Sequence, residues 1–247
     1  MADTAFITQF RNEFIAGFEQ RQSLLRGATT PEFMMKGNTA TFLIADSNAA
    51  TAVTRGVNGR IPSAADNLTQ VSATLQEWHH KPIATSFNIF ASQGDRNAIM
   101  QMNAMAVINR KIDADIIEQL DAATLQTNTT GVPASIRLVN TAIAGLGKNG
   151  VPFDGNIWGL ISPAFLAYLM DGSAPLWADK QGFYDWMNIK WIVSPQVTGV
   201  GTATEKCYVF HKSAIGHAYN KDMSVTVGYN DEDDYSFVRA TIFMGSK

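Results

Sequence analysis

The residues best suited to chemistry in this 247-residue chain are four histidines, one cysteine and a run of acids. His79 and His80 are adjacent, and in a strand they point to opposite faces, so they do not readily share a metal ion. His211 and His217 follow Cys207, but no second cysteine completes a zinc spacing. Ser213, close to both, is the nearest approach to a nucleophile beside a base, yet it lacks a Gly-x-Ser-x-Gly elbow. Cys207 opens an apolar strand candidate, Cys207-Tyr208-Val209-Phe210, where a buried, inert thiol is expected. Asp231, Glu232, Asp233 and Asp234 are consecutive. They match neither the spaced ligands of a calcium loop nor a catalytic carboxylate pair, and read as a solvated turn with adventitious cation binding as the alternative. The glycines around Leu146 lack the Lys-Ser/Thr of a phosphate loop. No catalytic residue, cofactor or metal site is assigned.

The bulk composition excludes further classes. Charged residues make up 17% and the formal net charge is -3, so there is no basic footprint for specific nucleic-acid binding. Arg55 and Arg60 are isolated positives in an otherwise uncharged stretch, suited to bidentate contact with carboxylates across an interface. A single cysteine excludes an internal disulfide framework and fits a reducing cytoplasm. Met1-Ala2-Asp3-Thr4 lacks the basic start of a signal peptide, and no run approaches the length of a membrane span, so no membrane partner is expected.

The elements around these residues are organised by one long helical pattern, Asp95 to Gln126. Ile99, Met102, Met105, Ile108, Ile112, Ile116, Leu120 and Ala123 recur at three- and four-residue steps, while Arg110, Lys111, Asp113, Asp115, Glu118 and Asp121 form the charged remainder. A helix of thirty residues reaches roughly 45 Å, and its apolar stripe needs an equally elongated partner. Before it, Thr4 to Arg26 carries Phe6, Phe10, Phe14 and Phe18 at four-residue spacing, an apolar stripe that must pack either on its own subunit or on another copy. Gly37 to Arg60 holds two strand candidates, Thr39–Ile44 and Thr51–Thr54, and a turn at Arg55–Arg60. Val71 to Leu75 and Ile83 to Ile89 alternate with period two. After the helix come a helix over Ser135–Leu146, a strand over Asn156–Ile161, and a helix begun by Ser162 as cap with Pro163 at its first turn. Strands follow at Ile189–Val193, Cys207–Phe210, Met223–Val227 and Tyr235–Phe243. This is an α+β chain.

That order resembles the major capsid proteins of tailed bacteriophages, the HK97-like fold: an N-terminal arm, an extended β-hairpin loop, a long spine helix, a compact mixed part and a strand returning at the end. The resemblance implies an N-terminal arm over 1–36, an extended loop with its return strand over 37–90, a peripheral domain of 91–129 and 222–247 holding the spine helix, and an axial domain over 130–221. It implies a structural shell subunit that self-assembles as hexamers and pentamers into an icosahedral shell around double-stranded DNA, made in the bacterial cytoplasm and found in the virion. Phe6, Phe10, Phe14, Phe18, Arg55 and Arg60 are then proposed interface residues, and Ile99, Met102, Ile108, Ile112, Ile116 and Leu120 pack the spine. The first forty residues are too short for the self-cleaved scaffolding segment of some members, so the resemblance implies a separate scaffolding protein or prior removal of such a segment, with Met1 arguing against removal; a portal is an expected partner, with room for a decoration protein and only weak contact with DNA. An encapsulin-type compartment is the alternative within the fold; a tail-tube or decoration protein and a small hydrolase are the alternatives outside it.

Overall fold

The computed structural model describes residues 20–33, 36–46, 50–63, 67–91, 95–127, 135–171, 188–220 and 222–247. Its centre is a helix laid across a sheet. The helix α2 runs Arg96–Asp121, capped by the Asp95 carboxylate, which accepts the Ala98 N–H at 3.1 Å. It stops five residues short of Gln126, and Ala123, counted in the stripe from its spacing, lies exposed beyond the end. The row that faces the sheet is Met100, Ala104, Ile108, Ile112, Ile116 and Leu120, all buried at strict four-residue steps. Ile99 is half-buried, whereas Met102 and Met105 stay exposed. A four-residue step drifts round the helix by about 40° per turn at 3.6 residues per turn, so the row curves as the twisted sheet does.

The sheet is built on β11, Tyr235–Ser246, whose alternate residues Val238, Ala240, Ile242 and Met244 are buried against that row. One edge of β11 pairs antiparallel with β4, Gln76–His80, and β5, Ile83–Thr85; the other pairs with β10, Ser224–Asn230, and β9, Gly216–Tyr219. β9 in turn carries β1, Thr30–Phe33, in parallel. The expected boundaries at 36/37 and 221/222 therefore cut through this sheet, because β1 and β9 belong to it. Ile83 to Ile89 is not one alternating strand: β5 ends at Thr85 and the chain turns into a short helix α1, Ser86–Ala91, with Ile89 packed against the core and Phe87 and Phe90 exposed.

A two-stranded hairpin leaves this body. β2, Thr39–Asp46, and β3, Asn67–Thr74, pair antiparallel from Thr39 opposite Thr74 to Asp46 opposite Asn67. Only its base is packed: Ala40 and Ala73 are buried, and the Phe42 ring lies over Gly216, where an added Cβ would come within 2.5 Å of it. Farther out Leu43 and Leu68 are exposed, as is every residue from 50 to 63. Thr51–Thr54, expected as a strand from its β-branched composition, is irregular, and no strand among the described residues lies beside it to complete a ladder.

The remaining unit is a three-stranded sheet. β6, Ile157–Ile161, is central, parallel to β7, Ile189–Val193, and antiparallel to β8, Tyr208–His211. On one face it packs with α3, Ile136–Lys148, and α4, Pro163–Asp171, through Val139, Ile143, Ile157, Ile161, Leu169, Ile189 and Trp191. The Ser162 hydroxyl accepts the Phe165 N–H at 2.9 Å, the cap read from Ser162-Pro163. Leu160 and Phe210 join the α2 core instead, so one continuous apolar cluster links the two sheets.

Candidate assembly surfaces

The chemically suggestive residues resolve into structural contacts. His79 and His80 sit side by side on β4; His79 bonds Thr241 Oγ1 through Nδ1 at 2.8 Å and meets Glu77 at 2.9 Å. Among the described residues no three His, Cys, Asp or Glu side chains are grouped to hold a metal. His211 does meet Ser213 Oγ at 2.7 Å and Asp154 at 3.1 Å, the pairing anticipated for a nucleophile and base. Yet the same Nδ1 accepts the Ser213 backbone N–H at 3.3 Å, so the imidazole caps the 3-10 turn Lys212–Ala214. Asp154 is held at a pKa of about 2, chiefly by the side-chain and backbone N–H groups of Asn156, with His211 adding to it. Burial pushes the Cys207 thiol up to about 11, which keeps it protonated and unreactive at neutral pH.

Two acids of α2 that looked like solvated charges are clamps. Asp113 is fully buried; one oxygen accepts the Ser23 hydroxyl at 2.6 Å and the Leu25 N–H at 3.1 Å, the other the Leu24 N–H at 3.0 Å and the Gln20 amide. Asn109, one turn earlier, donates to the Arg21 carbonyl at 2.9 Å. The segment 20–25, within the stretch whose four-residue spacing points to a helix, is instead an irregular, bent strap fastened to a second face of α2, with Leu25 driven into the core. Phe6, Phe10, Phe14 and Phe18 lie outside the described residues. At the other end of α2, Asp121 accepts from Tyr208 at 2.6 Å, Thr198 at 2.6 Å and Lys206 at 2.8 Å, joining the helix terminus to the three-stranded unit. Burial works to raise its pKa, but these three donors together hold it below the usual carboxylate range. The signal for Asp113 was present in the spacing. Asn109, Asp113 and Ile117 form a second four-residue row beside the apolar one, a row that needs its own cover.

His217 is buried in β9, bonded through Nδ1 to Ser246 Oγ at 2.9 Å, with Nε2 meeting no partner among the described residues. Burial lowers its pKa from 6.5 to about 4; Asp115 and Asp113 pull upward and Arg26 pushes further down. The unfolded chain takes up this proton near pH 6.5 and the folded one only near pH 4. Stability is therefore unaffected by this group above about pH 6.5 and falls by on the order of 3 kcal/mol between there and about pH 4. Urea unfolding of the subunit at pH 7 and pH 4.5 should show that loss in the native protein and a much smaller one in His217→Asn; equal slopes would refute it.

Arg55 and Arg60 flank a tight turn closed by Gly59 N–H to Gly56 O at 2.8 Å and Gly56 N–H to Arg60 O at 3.0 Å, with Gly59 at φ 70°. Arg55 also donates to the Gly59 carbonyl at 3.3 Å. Both arginines are exposed, in the stretch of sequence between β2 and β3. The acidic turn joins β10 to β11 and is tied to α1 by Ser86 Oγ donating to Asp234 at 2.6 Å.

A family model described as phage capsid protein matches residues 2–153 and 182–247. No curated protein matches the chain by sequence. Among solved structures, a chain from Mycobacterium phage Che8 superposes with a TM-score of 0.80 at 17% identity, covering 100% of this chain and 94% of its own length. A chain from the capsid of a native GTA particle gives a TM-score of 0.78 at 13% identity, covering 98% and 91%. One from the capsid of the cyanophage P-SCSP1u gives 0.72 at 13%, covering 98% and 89%. At these identities the structures speak for the fold and the family model for descent. The chain belongs to the phage capsid protein family and has the HK97-like major capsid fold.

Proposed function

We propose that copies of this chain assemble as hexamers and pentamers into an icosahedral shell around the double-stranded DNA of a tailed phage, in the cytoplasm of the host bacterium. The observation that carries this reading is the hairpin: a paired ribbon that leaves the body with Leu43 and Leu68 about 70% exposed at 71% and 72%, too apolar to remain in water. In this reading the extended loop, expected over 37–90, is cut back to 37–75 because β4 and β5 pair with β11; α2 with the six-stranded sheet is the peripheral domain, and the axial domain, expected over 130–221, is the three-stranded unit within 135–211. A separate scaffolding protein and a portal complete assembly. A net charge of -3 suits a wall that only weakly contacts packaged DNA.

Electron microscopy of the purified protein, alone and with its scaffold, tests the proposal: rings, sheets or shells containing DNA are expected. A compact monomer at high concentration would sink it, and shells filled with protein and free of DNA would move the reading to a compartment. The phenylalanine stripe gives a second test. If it binds another copy, Phe10→Ser combined with Phe14→Ser leaves a folded soluble monomer with assembly lost. Unfolding of the monomer would place the stripe in the subunit's own core.

A further inference from the structure

Asn-Gly occurs twice in the chain, at Asn58-Gly59 and Asn149-Gly150. In this dipeptide the asparagine amide is open to attack by the backbone nitrogen that follows it, because glycine has no Cβ to hinder the approach. The structure holds the two copies very differently. Asn149 ends α3, which is anchored in the core through Val139 and Ile143. Its side-chain amide donates to the Gly145 carbonyl at 2.9 Å, the Gly150 N–H to the Gly147 carbonyl at 3.0 Å and the Val151 N–H to the Leu146 carbonyl at 3.2 Å. The amide that would be attacked and the nitrogen that would attack it are both tied down, and the next N–H bonds back across them.

Asn58 sits in the turn between Gly56 and Arg60, exposed, and its amide meets no partner among the described residues. The only bond on the attacking nitrogen is Gly59 N–H to Gly56 O, and the irregular, exposed chain on either side supplies no ladder to keep the turn shut. Arg55, bonded to the Gly59 carbonyl at 3.3 Å, places a positive charge beside the nitrogen that must give up its proton. We propose that Asn58 is a self-modifying site, converted to aspartate and isoaspartate without an enzyme. The Gly59 nitrogen loses its proton to solvent base and attacks Asn58 Cγ; the N–Cγ bond forms, the Cγ–Nδ2 bond breaks, and Nδ2 leaves as ammonia, closing a succinimide ring. Water then opens the ring. Breaking the new N–Cγ bond gives an aspartyl residue, whereas breaking the original peptide C–N bond gives an isoaspartyl residue whose main chain runs through Cγ. Either product sets a carboxylate between Arg55 and Arg60, the charged residues of the stretch 50–63. The isoaspartyl form also lengthens the main chain by a methylene inside the turn, so the spacing of the bonds that close it is lost.

The reaction requires no assembly, so its test is independent of the shell reading. The folded full-length chain is held at mildly alkaline pH and digested with trypsin, which cuts after Arg55 and Arg60 and after Lys148, so mass spectrometry follows both dipeptides in one sample. The amide-to-acid mass change at position 58, split between aspartyl and isoaspartyl peptides, is expected to accumulate roughly tenfold faster than at position 149, where more hydrogen bonds must open first. In urea the two rates should converge, since both sites are then the same dipeptide in an open chain. Equal rates in the folded chain, or faster conversion at position 149, overturn the assignment. A tenfold difference that persists undiminished in urea overturns it too, because flanking sequence and not the fold would then set the rate.

Discussion

Asp113→Ala should lower the unfolding free energy of the subunit by about 3–5 kcal/mol and release residues 20–25 from α2. The carboxylate is fully buried and, among the described residues, meets no cation; it accepts from Gln20, Ser23, Leu24 and Leu25. Hydrogen bonds to a charged group contribute more than neutral ones, about 1.5–3 kcal/mol each where they are kept from water. Alanine removes all of them together and leaves the Leu25 N–H without an acceptor. The strap then has little reason to stay, and Leu25, wholly buried, leaves the core with it. Asp113→Asn keeps the volume but turns a donor toward donors, so an intermediate loss is expected. Two measurements check this: urea denaturation, and trypsin cleavage after Arg21 and Arg26, which should accelerate in the variant. Because the carboxylate and Leu25 hold the same segment, Leu25→Ala and Asp113→Ala should be strongly non-additive. Unchanged cleavage and an unchanged urea midpoint would show that the strap is held by something else. The phenylalanine stripe directly precedes the strap in the sequence, so Asp113 fixes the position of Gln20, where the described chain begins.

The reasons some of this was legible and some was not are specific. β11 announced itself through Val238, Ala240 and Ile242 in strict alternation, whereas the pairing of Thr39–Asp46 with Asn67–Thr74 was not legible, because beyond the buried Ala40 and Ala73 the ribbon has little covered surface to fix a register. Ser162-Pro163 marked a helix start because capping is a local interaction. The long helix was visible from its stripe, but not its end, because Ala122–Gln126 carries no breaker and α2 stops where Asp121 is taken up by Tyr208, Thr198 and Lys206 from distant sequence. β9 was missed for a similar reason. Gly-His-Ala-Tyr has little strand propensity of its own, and it is a strand because β1 and β11 flank it and Phe42 occupies the space over Gly216. Asp113 was read as solvated because charge normally marks the wet side of a helix; only the second polar row beside it hinted at a strap.

Gly245→Ala should leave a folded subunit that fails to build regular shells. A Cβ at this position would lie 2.3 Å from the Thr74 carbonyl oxygen, 3.0 Å from its carbon and 3.4 Å from the Leu75 Cα. These are backbone atoms, so no side-chain rotation relieves the overlap; β11 and the end of β3 must separate by roughly an ångström. Thr74 closes the hairpin ladder and Leu75 N–H bonds the Asn38 carbonyl at 2.7 Å, so the displacement is passed to both strands as one rigid ribbon. A shift of that size at a base roughly 10 Å across tilts the ribbon by several degrees and moves its tip by about 3 Å over a 25–30 Å arm. The subunit's main core is untouched, and its stability should fall by only about 1–3 kcal/mol, the usual cost of overpacking. Assembly is far less tolerant, because every copy carries the same error and a closed shell must absorb it at every contact. Gly216→Ala provides the contrast. Its Cβ meets the Phe42 ring at 2.5 Å, and a ring can rotate, so a similar loss of stability should come with shells still formed. Thermal unfolding of both variants beside electron microscopy of their assemblies decides the matter. Regular shells from Gly245→Ala at native yield would mean that the direction of the hairpin is set by the neighbour that receives it and not by its own base.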